Sequence, residues 1–331
     1  MKQIVISRTD SIGDVVLTLP LALYLKARYP AAQIGWIGKS YTKAVVESCK
    51  SVDYFLDVAV LQPEQLQHID TIIFVFPDKK VAQMAKKANI SLRIGTSHRW
   101  FHWIFANRLV NFSRKKSNLH EAQLNFKLLR PLGISTIPTL EELQQNTWLS
   151  PAPLDTKYES LLSKDKFNLI IHPKSKGSAR EWSLQHYQSL IEQLPEEQFT
   201  IFITGTAAER EQISQENAAF LRQSKVKDVT GLFSLSEFIS FIAAADGLVA
   251  CSTGPLHIAA ALGKYAWGLY VPMRPLHPAR WQPIGKKATY FVHPIECSDC
   301  RKNPAACTCI AAILPEKVAE NINKKTCQVL K

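Results

Sequence analysis

The feature that most constrains this chain is an alternation that runs through twice. Short apolar runs rich in β-branched and aromatic residues take turns with longer stretches of helical spacing. In the first half the runs are QIVIS (3–7), QIGWI (33–37), IDTIIFVFP (69–77) and LRIGT (92–96), with helical stretches at 14–30 and 120–134. A polar, proline-containing stretch, 137–155, then reads as a linker. The rhythm restarts with FNLIIHP (167–173), FTIFITG (199–205), VKDVTG (226–231), DGLVACS (246–252) and YAWGLYV (265–271). Helical candidates between and after them are 184–194, 206–222, 234–245 and 255–263. Near-continuous apolar strands separated by helices belong to parallel sheets covered on both faces. The expected fold is therefore α/β, with two Rossmann-like domains, 1–150 and 151–314, facing across a cleft. Residues 315–331 read as a final helix able to pack on either domain. Open sheets of this kind bind ligands beyond the carboxyl ends of their strands.

Composition excludes several other classes. A chain of 331 residues with 46% hydrophobic and 21% charged content is a folded protein of about two domains, and disordered, fibrous or disulfide-dense chains have other compositions. No run of about 18 uncharged apolar residues is present to span a membrane. The start, MKQIVISRTDSIGD, reads as a strand and its turn and not as a signal peptide. The expected location is the cytoplasm, with the seven cysteines mostly reduced. The net charge of +12 leans forward: 19 basic and 11 acidic residues precede position 151, against 21 and 17 after it.

Its densest source is the stretch 99–116, where Arg99, Arg108, Arg114, Lys115 and Lys116 accompany five Phe or Trp residues and no acid. Such a segment suits an anionic membrane surface. It equally suits a helix with its aromatics in the core and its basic ends solvated. No helix-turn-helix, finger or RNP-like pattern accompanies the charge, so nucleic acid is not supported as a partner.

Three strand–turn–helix junctions carry candidate chemistry. In RTDSIGD, Asp14 stands at a helix start, where it either favours the dipole or acts as a general base. Asp10 competes for that role or forms an Asx turn, and Asp10, Ser11 and Gly13 are also candidates for acceptor or donor specificity, as is Arg274 further on. In HPKSKGSAREW, Lys174, Lys176 and Arg180 form a cationic set suited to a diphosphate, or simply a solvated loop. In CSTGPLHIAAALG, Ser252, Thr253 and Gly254 turn into a small-residue helix with Pro255 at the expected first position. Amides and hydroxyls there suit phosphate oxygens without a metal. His257, one turn in, is a ligand contact or a packing residue. Cys297, Cys300, Cys307 and Cys309 have half of a zinc spacing and otherwise read as plain thiols. Neither GxGxxG, a Walker loop, HExxH, GxSxG nor DxD is present.

In order and spacing, these segments resemble glycosyltransferase family 9, the ADP-heptose:lipopolysaccharide heptosyltransferases. The resemblance runs through RTDSIGDVVLTLPLALYLKARYP, HEAQLNFKLLRPLGI, HPKSKGSAREWSLQHY, LFSLSEFISFIAAADGLVACSTGPLHIAAALG and the late CSDC…CTC segment. It implies a GT-B fold, with an acceptor-binding first domain, a nucleotide-sugar-binding second domain, and a last helix crossing back to the first. It also implies inverting transfer without a bound metal or cofactor, ADP-heptose being the co-substrate. The implied partners are an anionic lipopolysaccharide or lipooligosaccharide core and the cytoplasmic face of the inner membrane. By its position Asp14 matches the family's catalytic carboxylate. Arg180 falls where many members carry a phosphate-contacting lysine, and Thr253 and Gly254 fall on the D-[ST]-G turn. Two positions depart: Ser252 stands where that turn has its aspartate, and Arg274, in VPMRP, stands where an acid is frequent. Both bear on the donor. A nucleotide-sugar epimerase or hydrolase, or a non-catalytic carbohydrate-binding relative, would share this fold.

Overall fold

The computed structural model describes residues 2–114, 116–294 and 308–327. The chain divides into two units, Met1–Pro151 and Ala152–Lys331. The first holds six strands: β1 (Gln3–Ser7), β2 (Gln33–Gly38), β3 (Tyr54–Asp57), β4 (Thr71–Phe74), β5 (Leu92–Thr96) and β6 (Arg108–Val110). All pair in parallel in the order β3-β2-β1-β4-β5-β6, with Ile4 opposite both Ile34 and Thr71. The second unit repeats the plan with β7 (Phe167–His172), β8 (Phe199–Ile203), β9 (Val226–Asp228), β10 (Gly247–Cys251), β11 (Tyr265–Tyr270) and β12 (Ala288–Val292). Its order is β12-β11-β10-β7-β8-β9. In each sheet the winding direction reverses beside the first strand, between β1 and β4 and between β7 and β10. These are the switch points at which doubly wound sheets bind ligands.

The central strands are apolar because both faces are covered. Every residue of β7, β8 and β10 is buried. The edge strands β3, β6 and β12 are only partly buried, so they lack the continuous apolar signature and went unread in the sequence. The helix expected over 14–30 is two helices, Ile12–Val16 and Leu19–Arg28. Pro20 has no N–H to continue the ladder and its ring would collide with the carbonyl of Val16. The Thr18 hydroxyl occupies the break by donating to the Asp14 carbonyl at 2.8 Å. Likewise the 120–134 helix is α-helical only over Glu121–Phe126, tightening to a 3₁₀ turn before left-handed Gly133. Of the basic aromatic stretch, only Trp100–Phe105 is helical.

The second unit closes on its own terminal helix. Pro315–Thr326 packs on the helix Leu184–Glu192. The buried Trp182 indole donates to the Ile313 carbonyl at 3.1 Å, and that of Trp267 to Asn321 Oδ1 at 2.9 Å.

Candidate active site

In the first unit the chain leaves β1 at the switch point and turns through Arg8, Thr9 and Asp10 into the helix carrying Asp14. One Asp14 oxygen accepts from Arg8 Nη2 and the other from the Ser11 hydroxyl. Asp10 Oδ1 accepts from Arg8 Nε at 2.7 Å, and the Asp10 carbonyl accepts from the Tyr41 hydroxyl at 2.7 Å. Arg8 Nη1 reaches Glu121 Oε1 at 3.1 Å, an oxygen that also accepts from Arg114 Nε at 3.0 Å. Burial pushes the Asp10 carboxyl up to about 6 although Arg8 opposes the shift. The carbonyls of Ser11 and Gly13 accept the helical bonds from Val15 and Leu17.

Asp10, Ser11, Gly13 and Asp14 thus share one turn, as their spacing suggested. Arg8 and Glu121 were missed. The sequence carried no signal for the pair, since Glu121 stands in HEAQLNFKLLR among His120, Gln123, Asn125 and Lys127. Arg114, unlike the exposed Arg99, Arg108 and Lys116 of the same basic stretch, lies in this network, drawn in by the buried Glu121. The junction is not a plain anion cradle: it gathers carboxylates around a guanidinium.

In the second unit, β7 and β10 are hydrogen-bonded neighbours with Ala250 opposite His172. The loop 173–181 and the turn 252–254 therefore leave the sheet side by side. The Trp182 amide donates to Cys251 Sγ at 3.3 Å, tying the end of the loop to the end of β10. Lys176 (φ 49) and Gly177 (φ 78) are both left-handed, and they reverse the loop; glycine supplies the second without steric cost. The three cations do not act as one set. Lys174 is buried, held by Glu216 Oε1 at 2.5 Å and Glu181 Oε2 at 3.4 Å. Lys176 is exposed and Arg180 half-buried.

Thr253 is extended and precedes the helix Gly254–Ala261, so Pro255 takes the second helical position and not the first. The Thr253 hydroxyl is buried and has no hydrogen-bond partner among the described residues. A buried hydroxyl beside free helix amides is chemistry suited to an anionic oxygen. Ala259, Ala260 and Ala261 are fully buried against β10 and β11, and His257 is buried in the same helix. Ser252 lies beside the Tyr270 phenol, which donates to the Trp281 carbonyl at 2.5 Å and whose ionisation burial pushes upward. Arg274 is exposed on the loop after β11, the neighbour of β10.

Away from these junctions, Phe101 and His102 face the core while Trp100, Trp103 and Ile104 are exposed. Arg99, Arg108 and Lys116 are exposed as well, and the Lys79 ammonium lies 4.8 Å from the Trp100 ring centre. Lys115, Cys297, Cys300 and Cys307 lie outside the described residues, and Cys309 is buried in the helix Thr308–Ala311. Among the described residues no three His, Cys, Asp or Glu side chains converge as metal ligands. No helix among them is long and apolar enough to cross a membrane.

The family model for glycosyltransferase family 9 (heptosyltransferase) matches residues 67–311. The chain belongs to glycosyltransferase family 9. Glycosyl transfer is thus its chemistry, and its two Rossmann-like units make a GT-B fold. This family 9 chain is 28% identical over 301 residues to a Haemophilus influenzae protein whose given name goes no further than glycosyltransferase; the match covers 86% of each. It is similar to the solved Escherichia coli ADP-heptose lipopolysaccharide heptosyltransferase II, with a TM-score of 0.76, 21% identity and full coverage of both chains. It is also similar to the Escherichia coli heptosyltransferase WaaC with ADP, with a TM-score of 0.71, 17% identity, and 97% and 99% of the two chains covered.

Proposed function

We propose that this family 9 enzyme is an inverting, metal-independent transferase that moves heptose from ADP-heptose onto a lipopolysaccharide or lipooligosaccharide core. The observation that carries the reading is the pair of switch points. One bears carboxylates at a strand end; the other bears a buried hydroxyl, a helix start and flanking cations.

In this reading Asp14 takes the proton of an acceptor hydroxyl as that oxygen attacks the anomeric carbon. The carbon–phosphate oxygen bond breaks with inversion, and ADP departs with the bonding electrons. Lys176, Arg180, the Thr253 hydroxyl and the amides at Gly254 stabilise the departing diphosphate, a task that metal ions perform in other transferases. Lys174 serves by holding Glu181 and the loop, since its charge is already paired. ADP-heptose is favoured because the solved relatives of this fold are named for it or hold ADP. Trp100, Trp103 and Ile104, with Lys79, Arg99, Arg108 and Lys116 nearby in the sequence or structure, supply a surface for the cytoplasmic face of the inner membrane.

The test incubates purified protein with ADP-, UDP- and GDP-sugars and a lipid-core extract, reading nucleotide release together with acceptor mass gain. ADP release coupled to a heptose mass increment is expected. Release without acceptor gain makes the protein a hydrolase and defeats the reading, and so does coupled transfer from another donor only.

A further inference from the structure

The Arg8 cluster asks for an account that the fold alone does not give. Arg8 is 3% exposed at its side chain and Glu121 1%, and the two are ion-paired at 3.1 Å. Taking such groups out of water costs several kcal/mol per ion, and apolar residues of equal volume would often fold as well or better. Two arginines and three carboxylates nevertheless meet here from three separate segments: Arg8, Asp10 and Asp14 after β1, Arg114 after β6, and Glu121 on its own helix. The network continues through Arg114 Nη2 to Asn125 Oδ1 at 3.0 Å and to the Val75 carbonyl at 3.3 Å. Asn125 Nδ2 in turn donates to the Thr18 hydroxyl at 3.0 Å, which bonds the Asp14 carbonyl. Asp14 is thereby held from its side chain and from its backbone.

The partners of the Asp14 carboxylate leave it usable. A carboxylate has about four lone-pair sites, and Arg8 and Ser11 occupy one on each oxygen. An arginine bound to Asp14 alone would make it a weak base. Here its charge is divided among three carboxylates.

We propose that Arg8 is the positioning residue of the transfer reaction, fixing the Asp14 carboxylate while Glu121 and Arg114 set how much of the Arg8 charge falls on it. The proposal rests on Asp14 being the base. Charged and titratable groups facing it are Arg8, Asp10, Glu121, Arg114 and the Tyr41 phenol. The last is held protonated by burial first and by Asp10 and Asp14 next.

The experiment compares wild type, Asp14→Asn, Arg8→Lys, Arg8→Met and Glu121→Gln with the donor and acceptor pair that turns over in the panel above. Glu121→Gln removes one competing anion, so more of the Arg8 charge falls on Asp14. The acid limb of kcat/KM should move down by about half to one pH unit, and kcat should fall several-fold. Arg8→Met should move the limb upward and cut kcat at least about tenfold, with donor KM held within twofold. Arg8→Lys should restore the limb but only part of kcat, since lysine lacks the planar fork. Carboxyl ¹³C titrations of labelled aspartates, which need no substrate, should show the same ordering for Asp14. They also serve if Arg8→Met fails to fold. A lowered Tm with unmoved limbs and unmoved Asp14 titration in Arg8→Lys and Glu121→Gln would overturn the positioning role while leaving the base intact. A fully active Asp14→Asn would overturn both.

Discussion

Asp14→Asn exchanges one oxygen for an amide and removes the charge that accepts a proton. It should cut kcat by at least about 100-fold and leave donor affinity unchanged, because the residues proposed to hold the donor lie in the other unit. Stopped-turnover rates and calorimetric ADP binding check the two halves, with Asp10→Asn as the matched comparison. On the donor side, Ser252 lies beside the Tyr270 phenol, so an aspartate there would compete with the Trp281 carbonyl for that hydroxyl as well as for the sugar. Ser252→Asp should reorder kcat/KM among ADP-, UDP- and GDP-sugars without abolishing turnover, whereas Arg274→Ala should mainly raise one substrate's KM. An unchanged ranking with a silent Arg274→Ala would strip both positions of specificity. At this scale the sequence was readable where chemistry is local. Asp10, Ser11 and Asp14 sit in one turn, and Ser252, Thr253 and Gly254 in another. Arg8 with Glu121 was not readable, because their contact spans 113 residues and depends on a sheet order that no periodicity encodes.

Elements differ in how they betray themselves. Strands buried on both faces announce themselves as apolar runs, as β7 and β10 do, whereas of the half-solvated edge strands only β9 was legible and β3, β6 and β12 blend into loops. Helix breaks at Pro20 and Pro131 follow from ring geometry, but the Thr18 hydroxyl that caps the first break is visible only in three dimensions. The loop 173–181 yields a prediction of its own. Lys174 ties it to Glu181 and Glu216, and Glu181 Oε1 accepts from both the Ser175 amide and its hydroxyl at 2.8 Å. Lys174→Met should cost about 1.5–3 kcal/mol of stability, and donor KM should rise because the loop loosens. Lys176→Met should leave stability untouched and affect only donor kinetics. Denaturant titration of both variants separates the roles; equal stability of Lys174→Met and wild type would return Lys174 to the donor.

In each unit one buried histidine has its imidazole shifted by that burial. The His102 Nδ1–H donates to the Thr96 carbonyl at 2.9 Å, and His172 pairs with the Thr204 hydroxyl at 3.0 Å. Burial lowers both imidazoles below the ordinary value of 6.5. Above that pH both states are neutral and stability is full. Below it the unfolded chain takes up protons that the fold resists, so stability falls as pH drops through 6.5 towards the folded values. Asp10, raised to about 6, works the other way below that pH, so the histidine effect is read as a difference: Tm measured between pH 7.5 and 5.5 should fall less in His172→Asn than in wild type. Transfer should persist in EDTA; loss restored by Mg²⁺ or Mn²⁺ would refute metal independence. Flotation with phosphatidylglycerol vesicles should weaken several-fold in Trp100→Ser/Trp103→Ser, and unchanged flotation would remove the membrane role of that patch.

The tryptophan anchors of the terminal helix put the two units on different clocks. On the ribosome, the first sheet has all six strands once Val110 is made, and its unit is complete by Pro151. It can fold while the second is still being translated. The second has no such early finish. Trp182, whose amide ties the cationic loop to β10, waits for the carbonyl of Ile313, and Trp267 waits for Asn321. The unit that carries Asp14 therefore matures early, and the unit that carries the 173–181 loop takes its final form only after more than a hundred further residues have been added.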